Sequence, residues 1–295
     1  MLKGFPTPLP KTFSPHPTDA AVTFVVVLAN SFPMSVFNYS LPLKTSAEIA
    51  LQAEAGQVVA SAIHKACQIL KPGITTDFIH QFILRELQAS NAEPILHGVS
   101  HPRGGRPFPA ACCVSINDEV VHGIPGPRRL QSGDLVSIDV AAKLNGWCAD
   151  AAATFAVGQV SPQNQMLLDV GRQALRLAIS GLNQHHRWHQ VAQELESWIT
   201  AQGFSLIGQL FGHGIGRQLH ERPAIAHGLV PQWAELDFPL QPGLVLAIEP
   251  AISLQPQIKL LADGWTVVTQ DGSPAVHFEH TVALTAEGPQ ILTSL

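Results

Sequence analysis

Apolar positions along the chain recur in two rhythms, one near 3.6 residues and one near 2, and the changes between them mark out the elements. Thr45-Ser46-Ala47-Glu48 has the form of a capping box and opens an amphipathic stretch that runs to about Leu70. Pro72-Gly73 stops it. Thr75-Thr76-Asp77 opens a second helix, FIHQFILRELQAS, ending near Asn91. Ser161-Pro162 caps a third over about 162–181, and a fourth runs from about Trp188 to Gln202 with Gly203 as its stop. Strand-like runs lie between: CCVSI after the Gly/Pro-rich HPRGGRPFP (101–109), the two halves of QSGDLVSIDVAAKLNGWCAD (131–150), and short runs parted by Gly and Pro turns up to Leu295. Helices and strands interleave, which predicts a mixed α+β domain.

Asn145-Gly146, between two apolar runs, is a strong short-range hairpin signal. Counting outward from that turn, facing residues have numbers that sum to 291, so Asp150 lies opposite Ala141, which shares a strand face with Asp139. The two carboxylates become diagonal neighbours, with backbones about 7–8 Å apart. Like charges that close repel unless a cation sits between them or one takes a proton. The plainer alternative is that one aspartate caps a turn and the other points to water.

LQSGDLVSIDV (130–140) and LQPGLVLAIEP (240–250) align without a gap, pairing Gly133 with Gly243, Ile138 with Ile248 and Asp139 with Glu249. With the same helix-helix-strand order in both halves, the echo predicts a pseudo-twofold duplication whose site lies where the halves meet.

With 295 residues, 46% hydrophobic and 13% charged, the chain can bury a large core. A net charge of −5 leaves no basic footprint for nucleic acid. Cys67, Cys112, Cys113 and Cys148 lack CxxC spacing, which suits a reducing compartment better than a disulfide-stapled fold. Residues 1–42 read as a proline-rich extension, disordered or loosely docked, with Met34 as an alternative start, and 43–295 as one domain. The run AAVTFVVVLA (20–29) is too short to span a bilayer, and the prolines and Asp19 around it argue against a signal-peptide core.

The second half adds FGHGIGRQLHERP, with His213 and His220 separated by a stretch that its glycines predict to be a tight loop, and HFEHTVAL, with Glu279 and His280. Asp139, Asp150, His213, Glu249 and Glu279, each in or beside an apolar segment, make an oxygen-rich set suited to divalent ions bridged by carboxylates rather than to a thiolate zinc. His185, His186 and His189 sit at a helix boundary without acids nearby in sequence and read as a solvated turn.

CVSINDEVVHGIP, GDLVSIDV, NGWCADAAATFAVG, FGHGIGRQLHERP, AIEP, and DGWTV followed by FEHTVALT together resemble the type I methionine aminopeptidases, over about Leu43 to Leu295. The resemblance implies the duplicated α+β "pita-bread" fold and two divalent ions, of Co, Mn, Fe, Zn or Ni. It implies that Asp139 chelates one ion, that Asp150 and Glu279 bridge both, and that His213 and Glu249 bind the second. His122 matches the family's proton-handling histidine, His220 the one that contacts the substrate peptide, and Glu249 is the implied proton acceptor. Phe108, Cys113, Leu219 and Trp265 fall at methionine-pocket positions, where soft and aromatic walls suit a thioether. The implied reaction is removal of the initiator methionine from nascent chains with a small second residue, in the cytoplasm and near the ribosome, by a monomer; no nucleic-acid specificity and no membrane partner are expected.

The chain departs from the family pattern at GRPFP (105–109), where YHGYP or YHGFP is usual, so that Gly105 and Arg106 replace a tyrosine and a histidine. Leu219 replaces a frequent aromatic. Weaker methionine selectivity or slower turnover is the expected consequence. Two alternatives share the fold: an X-Pro aminopeptidase, which usually carries a large extra N-terminal domain, and a non-enzymatic peptide-binding homologue, which would have lost ligands that this chain keeps. The type II branch needs a long insertion that the 36 positions from His213 to Glu249 leave no room for.

Overall fold

A computed structural model describes residues 40–101, 104–231 and 236–294. The run at 20–29, Met34 and most of the predicted extension lie outside the described residues. Of that segment, Leu41 packs against the core of the second half. Helix α1 (Ser46–Ile69) opens on the predicted capping box: the Glu48 N–H donates to Thr45 Oγ1 at 3.3 Å, and the Thr45 N–H donates to Glu48 Oε2 at 3.0 Å. Such a cap stabilises a helix by about 1 kcal/mol. Helix α2 (Thr76–Ala89) is capped by Thr75.

Strand β1 (Cys113–Ile116) pairs with β2 (Leu135–Leu144), which turns at Asn145-Gly146 into β3 (Trp147–Ala156). Both turn residues have positive φ, 52° and 83°, as a two-residue turn of this kind demands. Helices α3 (Pro162–Gln184) and α4 (Trp188–Ala201) follow, then strands β4 (Phe211–Gly214), β5 (Glu221–Ala226), β6 (Val245–Ile248), β7 (Ala251–Ser253), β8 (Ala275–His277) and β9 (Glu279–Thr285). The main sheet runs β2-β3-β9-β6-β4-β5 with antiparallel neighbours, so the first half's hairpin joins the second half's strands at β3 and β9. Helix α3 runs three residues past the predicted 181 because Leu182, 3% exposed, continues its apolar stripe.

Each half covers one face of its strands with a helix pair. Val59, Ile63, Ile79 and Ile83 from α1 and α2 cluster with Val136, Ile138 and Val140 of β2. Leu168, Leu175, Leu195 and Ile199 from α3 and α4 cluster with Leu246, Ile248 and Val282. Since strand faces alternate, Ser137, Asp139 and Ala141 look the other way.

The echo seen in the sequence is a structural repeat. Gly133 and Gly243 have φ of 100° and 98°, and each N–H donates at 2.8 Å to a backbone carbonyl at or near a strand end, Val157 O just after β3 in one half and Leu284 O of β9 in the other. The next residues repeat as well: Val157 donates to Asp134 O and Leu284 to Leu244 O.

One expectation needs correction. The histidines at the start of α4 do have acidic partners, one from within α4 and one from a distant loop. His185 Nε2 lies 2.7 Å from Glu194 Oε2, and His189 Nδ1 lies 2.9 Å from Asp237 Oδ2. Asp237 also accepts from the His189 N–H at the helix start, so this cluster fastens a helix end to a distant loop.

Candidate active site

The faces turned away from the helices converge on a cavity of about 680 Å³. The five expected ligands Asp139, Asp150, His213, Glu249 and Glu279 all line it, together with His122 and His220. The hairpin register is the predicted one: Asp139 faces Ala152, and Asp150 faces Ala141. Thr281 of β9 clamps Asp150 across the junction of the halves, its Oγ1 accepting from the Asp150 N–H at 2.9 Å and donating to Asp150 O at 2.8 Å. Glu249 follows β6, and its N–H donates to His227 Nε2 at 2.9 Å. His213 lies on β4, and the tight loop expected between it and His220 follows at 215–220. Gly212 and Gly214 let β4 press close to its neighbours: a Cβ on Gly212 would overlap Ala247 O, and one on Gly214 would overlap Arg222 O.

Two compact groups of donor atoms share Glu279: Asp150 with His213 and Glu279, and Glu249 with His277 and Glu279, the atoms of each lying within 4.8 Å of one another. His213 Nε2 is 3.5 Å from Glu249 Oε1 and 4.0 Å from Asp150 Oδ2, while His277 Nε2 is 3.6 Å from Glu249 Oε2. Asp139 belongs to neither compact group. Its carboxylate accepts a hydrogen bond from the Cys113 thiol in the cavity wall. His280 points elsewhere, its Nδ1 2.9 Å from Thr293 Oγ1.

Burial dominates the electrostatics. It raises Asp139 to about 7. Asp150, Glu249 and Glu279 rise well above the ordinary range through burial and then through repulsion from one another and from Asp139. Burial also drives the histidines toward the neutral form, His122 and His220 to about 4, His213 and His277 to about 3. No lysine or arginine is found among the described residues lining the cavity. Among the described lining residues, therefore, no cationic side chain offsets four crowded carboxylates.

The other end of the cavity is apolar. Phe108, Cys113 and Trp265 cluster with Ala110, and Leu96, Val99 and Ile124 pack against them. Leu219 departs from expectation: its side chain packs with the apolar group of Ile49, Cys148 and Ile215, while its neighbours Gln218 and His220 face the cavity. The gap expected at Gly105 is closed from another direction. A Cβ there would meet the His101 ring at 2.7 Å, and that ring stands edge-on to Trp265 at 5.2 Å. Trp265 Nε1 donates to Arg106 O at 2.9 Å, so the GRPFP segment still braces the indole.

Residues 50–286 match the model of metallopeptidase family M24. The chain is 39% identical over 251 residues to methionine aminopeptidase 1 of Bacillus subtilis (strain 168), covering 85% of this chain and 98% of that protein. The chain belongs to family M24, among the methionine aminopeptidases. Within the family it is also 39% identical to methionine aminopeptidase 1 of Mycobacterium tuberculosis, over 86% of this chain and 95% of that one. The crystal structure of the Thermotoga maritima methionine aminopeptidase superposes with a TM-score of 0.79 at 35% identity, over 87% of this chain and all of that one. Prolidase from Pyrococcus furiosus shares the fold at 21% identity and a TM-score of 0.65, with 66% of its chain covered. The duplicated pita-bread α+β architecture is thus the family's own.

The residues fit the family's use of divalent metal. Asp150 Oδ1, Glu279 Oε1 and His277 Nε2 are buried without a hydrogen-bonding partner, and unsatisfied atoms of this kind call for a cation. Carboxylate oxygens and imidazole nitrogens suit borderline divalent ions. Two residues here escaped the sequence reading. His227 supports Glu249 from 22 positions away, a relation no local pattern signals. His277 had a signal, its two-residue spacing from Glu279, which on a strand puts both on one face.

Proposed function

We propose that this protein is a metal-dependent aminopeptidase that removes the initiator methionine from polypeptides whose second residue is small. The observation that carries the proposal is one cavity joining a crowded carboxylate–imidazole cluster to an apolar recess of Phe108, Cys113 and Trp265. The relatives named above support the activity by name.

Asp139, Asp150, His213, Glu249 and Glu279 would hold two divalent ions, with Asp150 and Glu279 shared. Divalent ions bound there supply Lewis acidity toward the scissile carbonyl and acidify water at neutral pH. Glu249 takes the proton of the attacking water on a carboxylate oxygen and delivers it to the departing amide nitrogen. His122 and His220 meet the peptide as neutral imidazoles, since burial keeps both near 4. His122 Nδ1, buried without a partner, is the atom available to the substrate. The recess takes the thioether side chain and excludes water from it, and the free α-amine is oriented toward the carboxylate cluster. That orientation makes the reaction exopeptidic. Nascent chains in the cytoplasm, met near the ribosome by a monomer, are the setting we propose.

The test uses purified protein with added manganese and four peptides. Met-Ala-Ser should release methionine, while Met-Leu-Ser, Leu-Ala-Ser and N-acetyl-Met-Ala-Ser should be cleaved at least tenfold more slowly. Equal cleavage of the acetylated peptide would contradict the amine requirement, and equal cleavage of Leu-Ala-Ser would contradict the assignment of the recess.

A further inference from the structure

In the duplicated halves, His277 is the counterpart of Asp150. In the first half Ala141 pairs with Asp150, and in the second Ala251 pairs with His277. Asp139 stands two residues before Ala141, as Glu249 stands two before Ala251. The backbone clamps repeat too. Thr281 Oγ1 accepts from the Asp150 N–H and donates to Asp150 O, and Thr154 Oγ1 accepts from the His277 N–H and donates to His277 O, at 2.8–2.9 Å throughout. The same threonine device therefore holds the backbone of both residues. Phe278, between His277 and Glu279, points into the helical core, which leaves both neighbours facing the cavity.

His277 Nε2 is buried and has no hydrogen-bonding partner. Its nearest carboxylate oxygen, Glu249 Oε2 at 3.6 Å, lies beyond hydrogen-bond range. A separation of that size suits two donors that share a cation. The third donor of the group, Glu279, comes within 4.8 Å of both. We propose that His277 is a further protein ligand, binding through Nε2 the ion held by Glu249 and Glu279, so that the site carries two imidazoles, His213 and His277, rather than one. This rests on the metallopeptidase reading above. An added nitrogen donor in a carboxylate-rich set makes the site softer, so His277 should favour zinc and cobalt over manganese.

The test is zinc X-ray absorption on protein loaded with two equivalents of zinc, wild type beside His277→Gln, together with competition titrations of zinc and manganese. Wild type should show two imidazoles per protein and His277→Gln one. The variant should lose about tenfold or more in affinity for zinc, the scale of losing an interaction at a metal site, and less for manganese. Thermal unfolding of the chelated proteins, with His277→Asn as a second replacement, checks that both variants fold. One imidazole in wild type and the same count in a folded variant would overturn the inference and leave the metallopeptidase reading standing. A wild-type protein that takes up no zinc would overturn both.

Discussion

Glu279 is 2% exposed, belongs to both compact donor groups and is repelled by Asp150, Glu249 and Asp139. Without metal it is a burden, and with metal it is a shared ligand. Glu279→Ala should therefore leave the chelated protein at least as heat-stable as wild type, while abolishing methionine release and the rise in Tm on adding manganese; calorimetry with and without chelator reads both. The same crowding sets a pH dependence. The four carboxylates are raised in the folded state, Asp139 to about 7 and the others well above the ordinary carboxylate range, from values near 4 in the unfolded chain. Their contribution to the stability of the chelated protein is complete below about pH 4 and drains as pH rises through the folded values. The buried histidines act oppositely: depressed to about 3–4, they contribute above about 6.5 and lose that contribution as pH falls. Above pH 6.5 the carboxylate effect still changes while the histidine effect does not, and the raised buried cysteines add to it in the same direction toward pH 9. Chelated protein should accordingly lose Tm between pH 6.5 and 9, and manganese should flatten the curve; a flat curve in chelator would contradict this account. In the recess, His101 edges onto Trp265 where Gly105 leaves space. His101→Ala should lower the kcat/KM preference for Met-Ala-Ser over Leu-Ala-Ser severalfold, an effect on the order of 1 kcal/mol for one aromatic contact.

Among elements, the hairpin and the helix caps were legible because their signals are local: Asn145-Gly146 sets the register and Thr45 with Glu48 sets a helix start. The short strand FGHG was not, since its two glycines carry no strand signal until neighbouring strands supply the close contacts that require them. Leu219 went astray for a related reason, because the residue before His220 faces away from the cavity and only tertiary packing shows which way. The join between halves depends on a residue that periodicity cannot flag, Thr281, whose hydroxyl satisfies both backbone groups of Asp150. Thr281→Val would leave that buried pair unsatisfied, at about 1–3 kcal/mol for each group. The expected result is a lower midpoint in urea and weaker manganese binding, since Asp150 loses its anchor. An unchanged midpoint would show that the clamp is dispensable.

At the scale of the molecule, the duplication organises everything else. The echo of 130–140 in 240–250 foretold a site between the halves, and the paired hydrogen bonds of Gly133 and Gly243 show the two segments doing the same work. The five expected ligands do share one cavity, although Asp139 stands apart from the compact groups and His277 stands within one. That difference was not legible because ligand roles were carried over position by position, whereas the counterpart of Asp150 emerges only from the strand registers of both halves. The central claim is that carboxylates from both halves hold metal for cleavage after an N-terminal methionine. The most direct test is to strip the protein with chelator, titrate manganese back, and follow methionine release from Met-Ala-Ser in wild type and Glu279→Ala. Release that is absent in chelator, returns with manganese in wild type and never returns in the variant is the predicted result. Release that persists in chelator, or that manganese restores equally in both proteins, would contradict the account.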